Sequence, residues 1–193
     1  MEVSMSVYYL GAVNVIGFLL YGIHLKLFRQ RVEGQVDIPL MCLSLAGGSG
    51  GIFLSMLFFD RKVQKENVLL KVWNLCLLVI QIMVLLLFKE YQNHGLTFVF
   101  WNFFQEHPWL FWYLAGMNVL TFLVFAADKR KAVKKGPRIR IVVLLGLAFL
   151  GGSIGALLGM YLLHHKTKKN YFTVGVPLML VMQVSILLGI MNL

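Results

Sequence analysis

Asp128, Lys129, Arg130, Arg138, Arg140, His164, His165, Lys166 and Lys169 crowd the ends of apolar runs in the second half of a 193-residue chain. Guanidinium and ammonium groups at that density suit phosphate or carboxylate, and beside an apolar run they suit anionic lipid headgroups. Lys129, Arg130, Arg138, Arg140, Lys166 and Lys169 are therefore the candidate anion or lipid ligands, with Asp128 and His165 orienting them. The same Asp128 and His165 are the candidates for catalysis, an imidazole acid or base beside a carboxylate. For Lys131, Lys134 and Lys135 the plainer role is to set topology and touch bulk lipid. A metal site has little behind it: adjacent His164 and His165 diverge by about 100° on a helix, and neither a third ligand nor a thiol is near. No metal or other cofactor is expected. Gly-Gly-Ser-x-Gly lacks the Lys-Ser/Thr of a phosphate loop and sits inside an apolar run.

The elements that must position these groups are set by composition. The chain is 59% hydrophobic and 13% charged, with a mean hydropathy of +0.78. Soluble domains run at about 45–50% apolar and about 25% charged, so a soluble fold and a disordered chain are both excluded. Two cysteines, Cys42 and Cys76, lie in apolar segments and read as small buried hydrophobes, not as a disulfide framework. Runs long enough for a hydrocarbon core of about 30 Å fall near Val3–Leu25, Ile38–Phe59, Val72–Phe88, Trp109–Ala127, Ile141–Leu163 and Tyr171–Leu193. The third starts at Val68 if Lys71 snorkels. Between the third and fourth, Lys89–Pro108 is too polar to span, and its aromatics, Phe98, Phe100, Trp101, Phe103 and Phe104 among them, read as an interfacial belt with a short surface helix. With no Lys or Arg before Lys26 and no small-residue cleavage pattern, the amino terminus is expected to belong to the first span.

The chain repeats itself. Tyr9, Asn14 and Phe18 return as Tyr113, Asn118 and Phe122, 104 residues on. The same offset carries Gly47-Gly48-Ser49-Gly50-Gly51 onto Gly151-Gly152-Ser153-Ile154-Gly155, and Lys62 and Lys65 onto Lys166 and Lys169. Gln81 matches Gln183 at an offset of 102. Leucine-rich runs agree by chance; co-registered Asn, Gly-Gly-Ser-x-Gly, Lys-x-x-Lys and Gln do not.

Two architectures fit a duplicated three-segment unit. Six full crossings make the halves inverted, with the Gly-Gly pairs as hinges of a channel or transporter. If each glycine-bearing middle segment enters and returns, the halves are parallel. The charges separate these. Six crossings divide the loop cations ten against seven, whereas re-entrant middle segments put sixteen on one face and Lys89 alone on the other. The expectation is thus an all-α integral membrane protein of two tandem pseudo-repeats, residues 1–88 and 111–193, joined by an aromatic interfacial linker, 89–110. Each repeat is a span, a Gly-Gly re-entrant hairpin or kinked span, and a span. Gly47, Gly48, Gly51, Gly151, Gly152 and Gly155 are the expected bends, and both termini lie outside. Asn14, Gln81, Asn118 and Gln183 are the intramembrane polar residues, helix-bonding by default and lining a polar path otherwise. No acidic residue lies deep in a span, which disfavours a proton or cation relay.

Asn118-x-x-x-Phe122, Asp128-Lys129-Arg130-x-Ala132, Arg138-Ile139, Gly151-Gly152-x-x-Gly155 and His165-Lys166-Thr167-x-Lys169-x-x-Phe172 resemble the bacterial membrane family DUF1294, a domain of unknown function. The resemblance covers about Trp112–Val184 and implies a helical membrane fold without assigning a reaction. The family pattern places an acidic residue shortly after Arg-Ile; here Arg140-Ile141-Val142 stands there, so no role is carried over for that carboxylate. The first half reads as a degenerate copy, with His24 at the Asp128 position and Asp60-Arg61 at that of His164-His165.

The leading expectation for function is non-enzymatic: recognition, and passage, of an anionic lipid headgroup or small anion at the basic cytoplasmic face of a bacterial inner membrane. The alternatives are the inverted transporter, a membrane enzyme acting on a lipid phosphate, and an interaction subunit with no site of its own. The partners expected are anionic lipids and a further membrane chain or second copy, and not nucleic acid.

Overall fold

A computed structural model describes residues 5–29, 37–60, 67–95 and 98–192. Arg31, Arg61, Lys62 and Lys65, which entered the repeat and charge arguments, lie outside the described residues. Within them the chain is helical, without strands: α1 Met5–Arg29, α2 Asp37–Leu43, α3 Ser49–Phe59, α4 Val68–His94, α5 Phe100–Glu106, α6 Pro108–Val133, α7 Ile141–Leu147, α8 Ser153–Leu162, α9 Asn170–Thr173 and α10 Gly175–Asn192. Six helical segments are long and apolar enough to cross a membrane, Val7–Leu27, Asp37–Phe59, Val68–Gln92, Pro108–Val133, Ile141–Leu162 and Asn170–Asn192. Their apolar residues stand on every side, and many large ones face outward, Leu19, Leu85, Leu123 and Leu162 among them. In water that surface would aggregate; against lipid it is ordinary. The molecule is a multi-pass membrane protein.

The residues fall into two compact units, Met1–Ile82 and Met83–Leu193, which divide inside α4. In the first, α1 packs on α3 around Tyr21, Leu40, Ile52, Met56 and Leu70. In the second, α6 packs on α8, and Phe125, Leu144, Met160, Phe172 and Val176 are buried. A Cβ on Gly155 would collide with the Asn118 carbonyl, and one on Gly51 with the Asn14 carbonyl, so each helix pair meets backbone against backbone.

The glycine-bearing segments are broken. Gly47 has φ 107° and Gly151 has φ 120°, conformations that a side chain resists. Gly48 (φ −82°) and Gly152 (φ −94°) complete each break with angles open to any residue. Of the six glycines expected as bends, Gly47 and Gly151 therefore kink the chain, while Gly51 and Gly155 serve the close approach.

Helix ends are closed by local chemistry. Pro108 starts α6, where its missing N–H is no loss. The C-terminus of α6 closes with Gly136 N–H on Lys131 O (2.9 Å) and Lys135 N–H on Ala132 O (3.3 Å), with Lys135 at φ 53°, and Pro137 follows. Helix α8 ends the same way: His165 N–H bonds Met160 O (3.0 Å) and His164 N–H bonds Tyr161 O (3.3 Å), with His164 at φ 49° where glycine is usual. The helix extends past the apolar run at α6, so Asp128 lies inside it, and α4 begins at Val68, so Lys71 lies inside that one.

Candidate functional site

The four amides are spent on the two breaks. Asn118 Nδ2 donates to Leu114 O (2.8 Å) and Gly151 O (3.0 Å), while its Oδ1 accepts from Gly155 N–H (2.7 Å). Gln183 Nε2 donates to Ala148 O (2.6 Å) and Phe149 O (3.2 Å), and its Oε1 accepts from the Ser153 hydroxyl. A break exposes carbonyls at the end of α7 and N–H groups at the start of α8, and hydrocarbon satisfies neither. The amides do so. The first unit carries the matching set: Asn14 to Gly47 O (3.1 Å) and from Gly51 N–H (2.6 Å), Gln81 to Ser44 O (2.5 Å) and from Ser49. Tyr9 donates to Ala46 O (2.9 Å) as Tyr113 donates to Leu150 O (2.7 Å).

The charged site is built on Asp128. This residue follows Thr121 and Phe125 along the buried stripe of α6, so its carboxyl is fully buried near the helix end. Its Oδ1 accepts the Ile139 N–H (2.8 Å), and its Oδ2 meets His165 Nε2 (2.8 Å) and Lys166 Nζ (2.8 Å). Three separate stretches, α6, the approach to α7 and the turn after α8, are tied to one side chain. Lys166 has φ 62° and its ammonium also stands 5.0 Å over the ring of Phe172, which packs edge-on against Phe125 at 5.8 Å. Burial is tolerable because the carboxylate has an ion pair and its hydrogen bonds together.

The expected anion ligands separate into two groups. Lys166 is engaged by Asp128, and Lys129 donates to Leu163 O at the end of α8. Arg130, Arg138, Arg140 and Lys169 are exposed and have no ion pair among the described residues. Arg138 and Arg140 flank the Ile139 that Asp128 holds, and Lys169 N–H bonds Lys166 O (3.2 Å). His164 is exposed and makes no side-chain contact with Asp128. Among the described residues no three of His, Cys, Asp and Glu lie together as metal ligands would.

Sequence reasoning missed a second polar cluster, in the first unit. Asp60 Oδ2 accepts from the Tyr21 hydroxyl (2.9 Å) and Asn67 Nδ2 (2.9 Å) and pairs with Lys71 (3.2 Å), whose ammonium also bonds Asp60 O (2.8 Å). His24 Nδ1 lies 3.3 Å from Asp37 Oδ1. Lys71 is thus held by Asp60, and the third span starts at Val68. The available signal was the position of Asp37 and Asp60 at the two ends of one apolar segment.

An all-helical, multi-pass chain with a buried Asp-His-Lys cluster at the end of one span is the class that these features define. The chain belongs to the family described as "Protein of unknown function (DUF1294)", which matches residues 118–172, from the amide at the break to the ring under Lys166. It is 42% identical over 78 residues to the uncharacterized protein YsdA of Bacillus subtilis strain 168, covering 40% of this chain and 86% of that protein. No solved structure matches the chain significantly.

Proposed function

We propose that the chain is two tandem parallel copies of one membrane unit, each with a re-entrant middle segment, and that the second binds an anionic lipid headgroup or small anion at its basic face. Duplication is supported by the recurrence of one hydrogen-bond set about 104 residues apart, centred on Asn14 and Asn118. Re-entry is supported by Asp128. A straight helix over the 22 residues Ile141–Leu162 would be about 33 Å long. Its two flanks, Ile139 and His165, instead bond the same carboxylate. With both middle segments folded back, the basic face is cytoplasmic, the termini are outside and the protein sits in a bacterial plasma membrane.

The observation that carries the binding reading is the division of the cations. Asp128 is saturated by Ile139, His165 and Lys166, so it leaves Arg138, Arg140 and Lys169 unneutralised on the segments that it anchors. Fixed, uncompensated guanidinium and ammonium groups beside a span take phosphate oxygens as ligands. The test is native mass spectrometry of detergent-purified protein offered phosphatidylglycerol, phosphatidylcholine or inorganic phosphate. Preferential retention of phosphatidylglycerol, or of phosphate, that falls at least tenfold in Arg138→Gln/Arg140→Gln/Lys169→Gln is expected. Equal retention of phosphatidylcholine by both proteins sinks the reading.

The Asp128–His165 contact supports a second reading, acid–base chemistry on a bound lipid phosphate, since a buried carboxylate orients the imidazole. His165→Ala that keeps bound lipid and an unchanged cellular phenotype removes it.

A further inference from the structure

The first unit holds a lateral groove that the basic face of the second does not involve. Its volume is about 500 Å³, and Asn14, Phe18, Gly50, Phe53, Leu54 and Leu78 line it. The amide in its floor is fully used on the break, so the groove offers a ligand apolar contact and no unpaired polar group. Along α1 the lining residue Phe18 shares one helical face with Gly11, Val15, Gly22 and Lys26, spaced by fours and a three. A Cβ on Gly11 or Gly22 would meet nothing within 4 Å, so this face stays open beyond the cavity in both directions. It ends at an exposed lysine that makes no ion pair among the described residues.

We infer that this furrow seats one acyl chain of an anionic phospholipid whose headgroup rests on Lys26. The dimensions agree: the eight residues from Phe18 to Lys26 span about 12 Å, inside the roughly 15 Å of a hydrocarbon half-layer. A headgroup at the ammonium therefore lays its chain through the cavity. The cation selects anionic lipid, and the apolar lining accepts any chain. The second unit keeps the cation but carries side chains where the first has glycines: 104 residues on stand Ala115, Ala126 and Arg130, and Ile154 replaces Gly50.

The full-length protein in phosphatidylcholine nanodiscs, doped with phosphatidylglycerol bearing a mid-chain diazirine, tests this by photocross-linking and peptide mapping. Adducts concentrated on Phe18, Phe53 and Leu54 are expected. Leu54→Trp and Val15→Trp, both at lipid-facing side chains, are expected to cut them several-fold without shifting the melting temperature. Lys26→Gln is expected to lower phosphatidylglycerol adducts on Phe18, Phe53 and Leu54 to the level given by the matching phosphatidylcholine probe. Adducts spread evenly over α1, α4 and α6, or indifferent to both tryptophans, overturn the seat. Equal capture of the two probes at these residues of the unaltered protein overturns the headgroup assignment. Adducts on Phe18, Phe53 and Leu54 that persist in Arg138→Gln/Arg140→Gln/Lys169→Gln are expected, which separates this seat from the basic site of the second unit.

Discussion

At the scale of the residue, Asp128 acts as a knot. Removing its carboxyl strands a partly buried ammonium and an imidazole together with the Ile139 N–H, the situation in which breaking a buried pair costs about 3–5 kcal/mol. Asp128→Ala is expected to lower the melting temperature in detergent far more than Arg138→Ala, whose side chain makes no such bond. Equal effects would show that the knot is unimportant. His164 tests the opposite sign. It occupies a left-handed position that costs an ordinary residue about 1–2 kcal/mol, and its side chain is exposed. His164→Gly is expected to raise the melting temperature; a fall would mean that the imidazole has a bonded role. Asp128, His165 and Lys166 were legible from spacing and family pattern. The consequence was not, because it depends on Asp128 falling on the buried stripe of α6. Tyr21 and Lys71 were illegible for a related reason: Asp60 is visible as an acid at a span end, but it carries no mark of its partners.

At the scale of the element, each broken segment joins a glycine to an amide on a neighbouring helix. Gly151 at φ 120° lies beyond even the usual left-handed region, so Gly151→Ala is expected to cost on the order of 1–3 kcal/mol. Asn118→Ala deprives Gly151 O and Gly155 N–H of their partner in a water-poor setting, where each unpaired group costs about 1–3 kcal/mol. Both are measurable by thermal unfolding, and the double variant should cost less than the sum, since a chain that no longer turns at Gly151 no longer needs the amide there. Strict additivity would separate the two roles. The Gly-Gly-Ser signature announced that something happens in these segments. It left undecided which glycine turns and which permits contact, because that depends on the helix opposite, where the Asn118 carbonyl lies against Gly155.

At the scale of the molecule, the sidedness proposed for the chain rests on these breaks. The apolar runs were readable directly, since hydropathy and length alone define them; their direction was not, because a run of 22 apolar residues fits one crossing or two half-depth arms equally well. The proposed re-entry rests on two separate supports, the division of sixteen cations against one and the carboxylate of Asp128 shared by Ile139 and His165. The two meet in a single measurement. With Cys42→Ser and Cys76→Ala as background, single cysteines at Lys134, Lys168 and Gln92 are probed with a membrane-impermeant maleimide on oriented vesicles. Re-entry places Lys134→Cys and Lys168→Cys on one side and Gln92→Cys on the other. Six full crossings place Lys134→Cys and Lys168→Cys on opposite sides, in which case Ile139 and His165 could not share a carboxylate and the basic face would not exist as one surface. Adding Asp128→Ala to the Lys168→Cys chain extends the test: if the carboxylate is what holds the returning arm, labelling at that position becomes faster from the same side, and appearance on the far side would show that the charge on Asp128, not the glycines, decides whether the segment turns back.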